Sequence, residues 1–129
     1  MAKMSVAGQF YYLMSHGRPI GMSRLENDDR SMGVALGAFE PLPAYEEVQA
    51  VFQLFADAED ASYRGDRAQS EALLDRYYQA RDALELTLQS ADGMLIPTEA
   101  IHIYDFGAYG MEEMGREVHA HITDSTFWT

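Results

Sequence analysis

Three histidines near the carboxyl end of the chain come closest to forming a reactive site. His119 and His121 are two residues apart, so on a β-strand both side chains lie on the same face. His102 belongs to the preceding predicted strand, and antiparallel pairing would bring it to that face too. Three imidazoles are a sufficient ligand set for a catalytic zinc ion with an open position. Glu117 shares the face and is placed to orient a ring.

The same histidines also fit a simpler interpretation, as polar residues on the solvent side of a strand. Strand register decides which side chains meet, and the sequence leaves that register open. We therefore predict no cofactor and no metal. The alternative is a small metal-binding domain or metal-dependent enzyme that uses His102, His119 and His121.

Other catalytic arrangements are absent from the sequence. Adjacent carboxylates do not share a face of a helix or strand, so they are not poised as acid–base pairs. The chain has no G-x-S-x-G elbow, no phosphate-cradling glycine loop and no cysteine, which excludes disulfides and thiolate chemistry. We predict no catalytic residue, and the sequence favours a protein that is not an enzyme.

The charge of the chain restricts its partners. Its 129 residues include 21 acidic and 9 basic ones, for a formal net charge of −12. Binding to nucleic acid or an anionic membrane depends on lysine and arginine, so we predict neither as a partner. A basic protein is the electrostatically natural partner, although such a charge also serves solubility alone.

Carboxylates beside aromatic residues are the candidates for binding this partner. Charged residues steer association, and exposed tyrosine and tryptophan anchor interfaces. The predicted partner-binding residues are Glu26, Asp28, Asp29, Tyr109, Glu112, Glu113, Glu117 and Trp128.

The elements that must position these residues follow from the hydrophobic pattern of a single domain, 1–129. Apolar residues at three- and four-residue steps predict a helix of about 15 residues from Ala44. Asp66 is the predicted N-cap of a second helix that ends near Asp82. Segments rich in strand formers or with alternating polarity predict strands at residues 9–15, 20–26, 32–39, 84–89, 100–106 and 116–122.

This order, β-β-β-α-α-β-β-β with a short additional strand at 94–96, predicts an α+β fold. We expect one antiparallel sheet with both helices packed on one face, because short turns between consecutive strands favour antiparallel pairing. No segment has the apolar length of a signal peptide or a membrane span. We therefore predict a cytoplasmic protein.

Several stretches carry a resemblance to known proteins. Residues 17–26 (GRPIGMSRLE), 32–45 (MGVALGAFEPLPAY), 76–84 (RYYQARDAL) and 101–105 (IHIYD) resemble a family of small acidic bacterial proteins without an assigned activity. In size, acidity and lack of catalytic motifs, the chain is also similar to bacterial toxin-immunity proteins. That likeness implies a binding protein that occludes a toxin's active site with acidic and aromatic surface.

The leading hypothesis is therefore a non-enzymatic protein that neutralises a basic partner, such as a cognate toxin, by occlusion. A structural or self-associating domain is a further alternative, with the chain as a monomer or a homodimer.

Overall fold

The fold is α+β, with two helices and nine strands in the part of the chain that the computed structural model describes, residues 9–128. The expectation of no signal peptide concerns residues before position 9, outside this range. The helices are α1 (Gln49–Tyr63) and α2 (Arg67–Ala83). The strands are β1 (Tyr11–Ser15), β2 (Arg18–Ser23), β3 (Asn27–Asp29), β4 (Val34–Ala38), β5 (Glu40–Pro41), β6 (Leu86–Ser90), β7 (Leu95–Ile96), β8 (Thr98–Asp105) and β9 (Arg116–Ile122).

The strands form two antiparallel sheets, so the α+β prediction is confirmed and the prediction of a single sheet is wrong. The first sheet has the order β5-β2-β1-β6-β7 and the second the order β3-β4-β9-β8. Pro97 separates β7, in the first sheet, from β8, in the second. Proline has no N–H for a ladder, which favours a break between sheets at this position.

The hairpin of β1 and β2 begins the first sheet. Its turn contains two residues, His16 and Gly17, and Ser15 pairs with Arg18, so β2 begins two residues before the strand predicted at 20–26. Both turn residues have positive φ, 52° and 75°. Such a turn matches the right-handed twist of paired strands.

The core lies between the two sheets and continues beneath the helices. Leu13 and Leu88 of the first sheet and Val118 of the second are fully buried. Alternation along β9 buries Ala120 and Ile122 as well, which confirms the inward side predicted for that strand. Burial of large apolar side chains is the main favourable contribution to folding.

The helix pair packs against β8, the edge strand of the second sheet. Asp66 caps α2 as predicted, because its carboxylate accepts a hydrogen bond from the backbone N–H of Gln69 at 3.1 Å. Phe52 and Tyr77 extend from α1 and α2 into the core. None of the helices formed by residues 9–128 is long and apolar enough to cross a membrane.

Gly37 allows two segments of the chain to come together at the end of β4. A Cβ atom at this position would lie 2.2 Å from Oε1 of Glu26 and 2.9 Å from Oγ of Ser23. A side chain at this position would therefore clash with the residues that follow β2. It brings Glu26 next to the second sheet.

Candidate partner-binding surface

The ladder between β8 and β9 sends successive residue pairs to opposite faces of the second sheet. Asp105 pairs with Arg116, and their side chains turn to the inner side. The next pair along, Tyr104 and Glu117, turns to the outer side. The predicted antiparallel pairing of these strands is confirmed, and it decides which side chains meet.

The three histidines share the outer face, as the antiparallel register requires. His102 lies directly opposite His119, and His121 lies opposite Ala100. No three His, Cys, Asp or Glu side chains among residues 9–128 are arranged to hold a metal ion. Sharing a face is therefore not enough to make these imidazoles converge.

His102 is used in packing between the helices and the sheet. Its Nδ1 and the hydroxyl of Tyr77 form a hydrogen bond, and its Nε2 is buried without a partner. The ring of Phe55 lies 4.3 Å from the imidazole, centroid to centroid. Burial, followed by the charges of His119 and Arg81, lowers the pKa of His102 to about 3. The ring is therefore neutral at physiological pH.

On the same face, carboxylates and aromatic rings from four elements form what we call the outer cluster. It comprises Glu59 of α1, Tyr104 of β8, Tyr109 of the turn at 106–109, and Glu117 of β9. The Tyr109 hydroxyl donates a hydrogen bond to the exposed Glu59 carboxylate. The His119 imidazole is hydrogen-bonded to Glu117, with Nε2 and Oε1 2.8 Å apart.

Two tyrosines of the outer cluster are affected by its negative charge. Burial, followed by the charges of Glu59 and Glu117, raises the pKa of Tyr104. Burial, followed by the hydrogen bond and charge of Glu59, raises the pKa of Tyr109. Glu59 of α1 and Glu117 of β9 therefore both raise the pKa of Tyr104, which lies on β8 between them.

The acidic residues of the β8–β9 connection add to this negative surface. Glu112 and Glu113 are exposed in the turn at 112–114, which follows the turn of Tyr109. None of the ion pairs formed within residues 9–128 includes Glu59, Glu112 or Glu113, and Glu117 pairs only with His119. No arginine of the described chain neutralises this part of the surface.

The inner pair of the same ladder has the opposite character. Asp105 is 5% exposed and accepts hydrogen bonds from the Tyr45 hydroxyl at 3.0 Å and from Arg116 Nε at 3.0 Å. Gln49 Nε2 and the backbone N–H of Gly107 also donate to it, at 2.9 and 3.2 Å. Burial, followed by the charge of Asp105, raises the pKa of Tyr45. This carboxylate is fully engaged within the protein.

The other predicted partner-binding residues are distributed unevenly. Glu26 accepts a hydrogen bond from the N–H of Ala38 at the end of β4, and its carboxylate lies beside Gly37 on the inner side of that strand. Asp28 lies 3.8 Å from Arg30, and Asp29 caps the turn at 30–32 by accepting from the N–H of Met32. Both stand on the far edge strand, β3, and interact locally.

Trp128 lies at the other end of β9 from Glu117. Its indole N–H donates to the carbonyl of Ile122 at 3.4 Å, and its half-buried ring packs against the core beside Phe127. The structure therefore brings Tyr109, Glu112, Glu113 and Glu117 toward one region and leaves Glu26, Asp28, Asp29 and Trp128 elsewhere.

Sequence reasoning missed Glu59 and Tyr104 as members of this surface. Tyr104 is two residues from His102 and shares its face, which was the available signal. Glu59 had no comparable signal, because only the packing of α1 against β8 places it beside Tyr109. Comparison of the chain with protein-family models, curated proteins and solved structures found no match.

Proposed function

We propose that the chain is a non-enzymatic protein-binding domain that neutralises a basic partner by occlusion, in the manner of a toxin-immunity protein. The observation that carries this proposal is the outer cluster, where exposed carboxylates accompany aromatic rings and no arginine of residues 9–128 pairs with Glu59, Glu112 or Glu113. Opposite charge speeds encounter, and aromatic rings supply interface area at little entropic cost.

The remaining titratable groups near this surface are consistent with binding rather than turnover. His102 is neutral, packed beneath the helices and hydrogen-bonded to the fully buried Tyr77. A general base must reach the proton that it removes from a substrate. The one strongly perturbed imidazole of the described residues is thus placed for packing. A cytoplasmic location remains part of the proposal.

The test is the isolation and kinetics of the complex. The full chain, immobilised, is used to capture proteins from lysate and secreted fractions of its source, and a captured basic protein is then expressed and titrated against the chain. We expect a 1:1 complex that suppresses the partner's activity in stoichiometric amounts. Raising NaCl from 50 to 500 mM should slow association by about tenfold or more, because salt screens the charges that steer encounter.

Three outcomes contradict this proposal. They are the absence of any stoichiometric partner, a complex that leaves the partner fully active, and an association rate that does not respond to salt. Sedimentation at micromolar concentration is run in parallel, since a stable homodimer that buries the outer cluster would instead support a self-associating domain. Stoichiometric zinc in untagged protein would support the metal-binding alternative.

A further inference from the structure

The chain uses arginine in a repeated way within its own fold. The guanidinium of Arg116 lies over the ring of Tyr45, 5.2 Å from its centroid, while its Nε donates to the Asp105 carboxylate. Arg81 lies over the rings of Tyr77 and Tyr78, at 5.4 and 5.3 Å, and 3.9 Å from Asp82. Each arrangement places the planar cation on a tyrosine face close to a carboxylate, and Arg116 also donates a hydrogen bond to its carboxylate.

The outer cluster also combines tyrosine rings with carboxylates. Its Tyr104 and Glu117 lie on β8 and β9, one residue along from Asp105 and Arg116. No arginine of residues 9–128 lies over the rings of the cluster.

Tyr104 lies opposite Glu117 on the β8–β9 ladder, and Glu59 is held by the hydroxyl of Tyr109. The ring of Phe106 lies parallel to that of Tyr104, at 12° and a centroid distance of 6.2 Å. Three further rings pack around Tyr104 at steep angles, those of Phe55, His102 and His119. The rings and the acids are already held in place by the fold.

The sheet face beside this cluster is open. The helix pair packs against β8, whereas the side chains of Glu117 and His119 on the next strand are 36% and 28% exposed. Leu36 of β4, opposite His119, and His121 of β9 are also half-exposed. The outer face of β9 and β4 is thus a half-exposed surface of mixed apolar and polar residues, with α1 beyond β8 on one side and Glu117 at its end.

Resting on the proposed function, we propose that this outer sheet face binds an arginine-bearing segment of the basic partner protein. One guanidinium lies against the ring of Tyr104, between the carboxylates of Glu59 and Glu117, as Arg116 lies between Tyr45 and Asp105. Charge complementarity selects this occupant, because the chain carries −12 and would repel nucleic acid or an anionic lipid surface. Arginine is favoured over lysine because only its planar head can stack on the ring and meet two carboxylates.

The test uses defined peptides and the full chain. Hexa-arginine and hexa-lysine amides of equal charge are titrated into isotope-labelled protein and followed by amide chemical shifts. We expect shifts concentrated in residues 55–59, 102–109 and 117–121. We also expect the arginine peptide to bind about threefold more tightly than the lysine peptide, the size of an exposed cation–π contact. Shifts spread evenly over all acidic surfaces, or equal affinities for the two peptides, would overturn the inference.

Matched variants separate the site from general charge. Glu117→Gln should weaken binding of the arginine peptide about threefold, whereas Glu71→Gln, the same charge change on the exposed side of α2, should change it less than twofold. Tyr104→Leu should abolish the preference for arginine, and Tyr104→Phe, which keeps the ring, should retain it. Equal effects of the two glutamate variants would assign the binding to net charge and contradict the site.

The natural partner distinguishes this inference from the proposed function. If a stoichiometric partner is found and a Glu59→Gln/Glu117→Gln double variant binds it as tightly as the unaltered chain, the docking face is wrong and the proposed function stands. If no partner is found, the proposed function fails whatever the peptides do. A double variant that folds normally and loses at least about tenfold in partner affinity supports both.

Discussion

Two adjacent pairs of the β8–β9 ladder make opposite use of a carboxylate. The inner pair, Asp105 and Arg116, forms an ion pair at 3.0 Å, and the carboxylate receives further hydrogen bonds from Tyr45 and Gln49. The outer pair, Tyr104 and Glu117, lies on an open face where Glu117 has only His119 as a charged partner. One residue along the strand therefore separates a buried, fully hydrogen-bonded carboxylate, Asp105, from the position opposite the partly exposed Glu117.

The difference shows how one sheet can serve both stability and recognition. A buried carboxylate must be fully satisfied, because an unpaired buried charge costs several kcal/mol. An exposed carboxylate is solvated by water and contributes little to folding, so its charge remains available to a partner. Mutation of the inner pair should thus lower the stability of the fold, whereas mutation of the outer pair should weaken binding to a partner.

The largest expected effect comes from breaking the inner network. Asp105→Ala removes the acceptor of four hydrogen bonds and leaves Arg116 without its partner, so the free energy of unfolding should fall by about 3–5 kcal/mol. Urea unfolding measures this. In the outer cluster, Glu59→Gln should change the same quantity by less than about 0.5 kcal/mol. Comparable losses for the two variants would remove the contrast between the faces.

The next effect is an acid-induced loss of stability from His102 on the outer face. Its pKa in the folded chain, about 3, lies below the ordinary value of 6.5, so the unfolded chain takes up a proton first as the pH falls. The stability contributed by the neutral ring is present above pH 6.5 and is lost between pH 6.5 and 3. Between pH 7.5 and 5 the loss should be about 2 kcal/mol.

Urea unfolding at a series of pH values checks this loss. His102→Asn keeps a polar group near Tyr77 but has no titrating ring, and it should lack this component of the pH dependence. In the wild-type chain, the ring protons of His102 should not titrate between pH 8 and 5 in NMR spectra. A titration midpoint near 6.5 would show that the ring is accessible to solvent, like the exposed side of the cluster.

A smaller effect is expected from the hydroxyl that holds His102. Tyr77→Phe keeps the buried ring but leaves Nδ1 of His102 without its hydrogen-bond partner, which should cost about 1–2 kcal/mol. Thermal or urea unfolding at pH 7.5 measures the change. Tyr78→Phe, at the exposed neighbouring position of α2, serves as the control and should be near neutral. Equal losses would mean that the Tyr77 hydroxyl has no special role.

The smallest effect should come from the hydrogen bond between Tyr109 and Glu59. Tyr109→Phe removes it, but the carboxylate is exposed and can bond to water instead, so stability should change by no more than about 0.5 kcal/mol. The same variant should be compared with Glu59→Gln in binding to the basic partner. A loss above 2 kcal/mol in unfolding would place this bond with the inner network rather than the outer cluster.

Local elements were largely predictable from the sequence. Alternation identified β9 and its buried side, and Asp66 marked the start of α2, because each of these depends on neighbours along the chain. The single sheet was wrong, since Pro97 and the residues after β2 carry the chain from one sheet to the other. Pairing partners depend on long-range packing, which no local pattern specifies.

The sequence by itself determined the acidity of the chain, the lack of thiol chemistry and the shared face of His119 and His121. Tertiary structure alone decided which carboxylates meet. It surrounded Asp105 with donors from two other segments, Tyr45 and Gln49 in one and Arg116 in the other, and set Glu59 of α1 beside Tyr109. The physical reason is that charge and strand periodicity are properties of composition and local spacing, whereas burial and hydrogen-bond partners arise only when separate elements pack together.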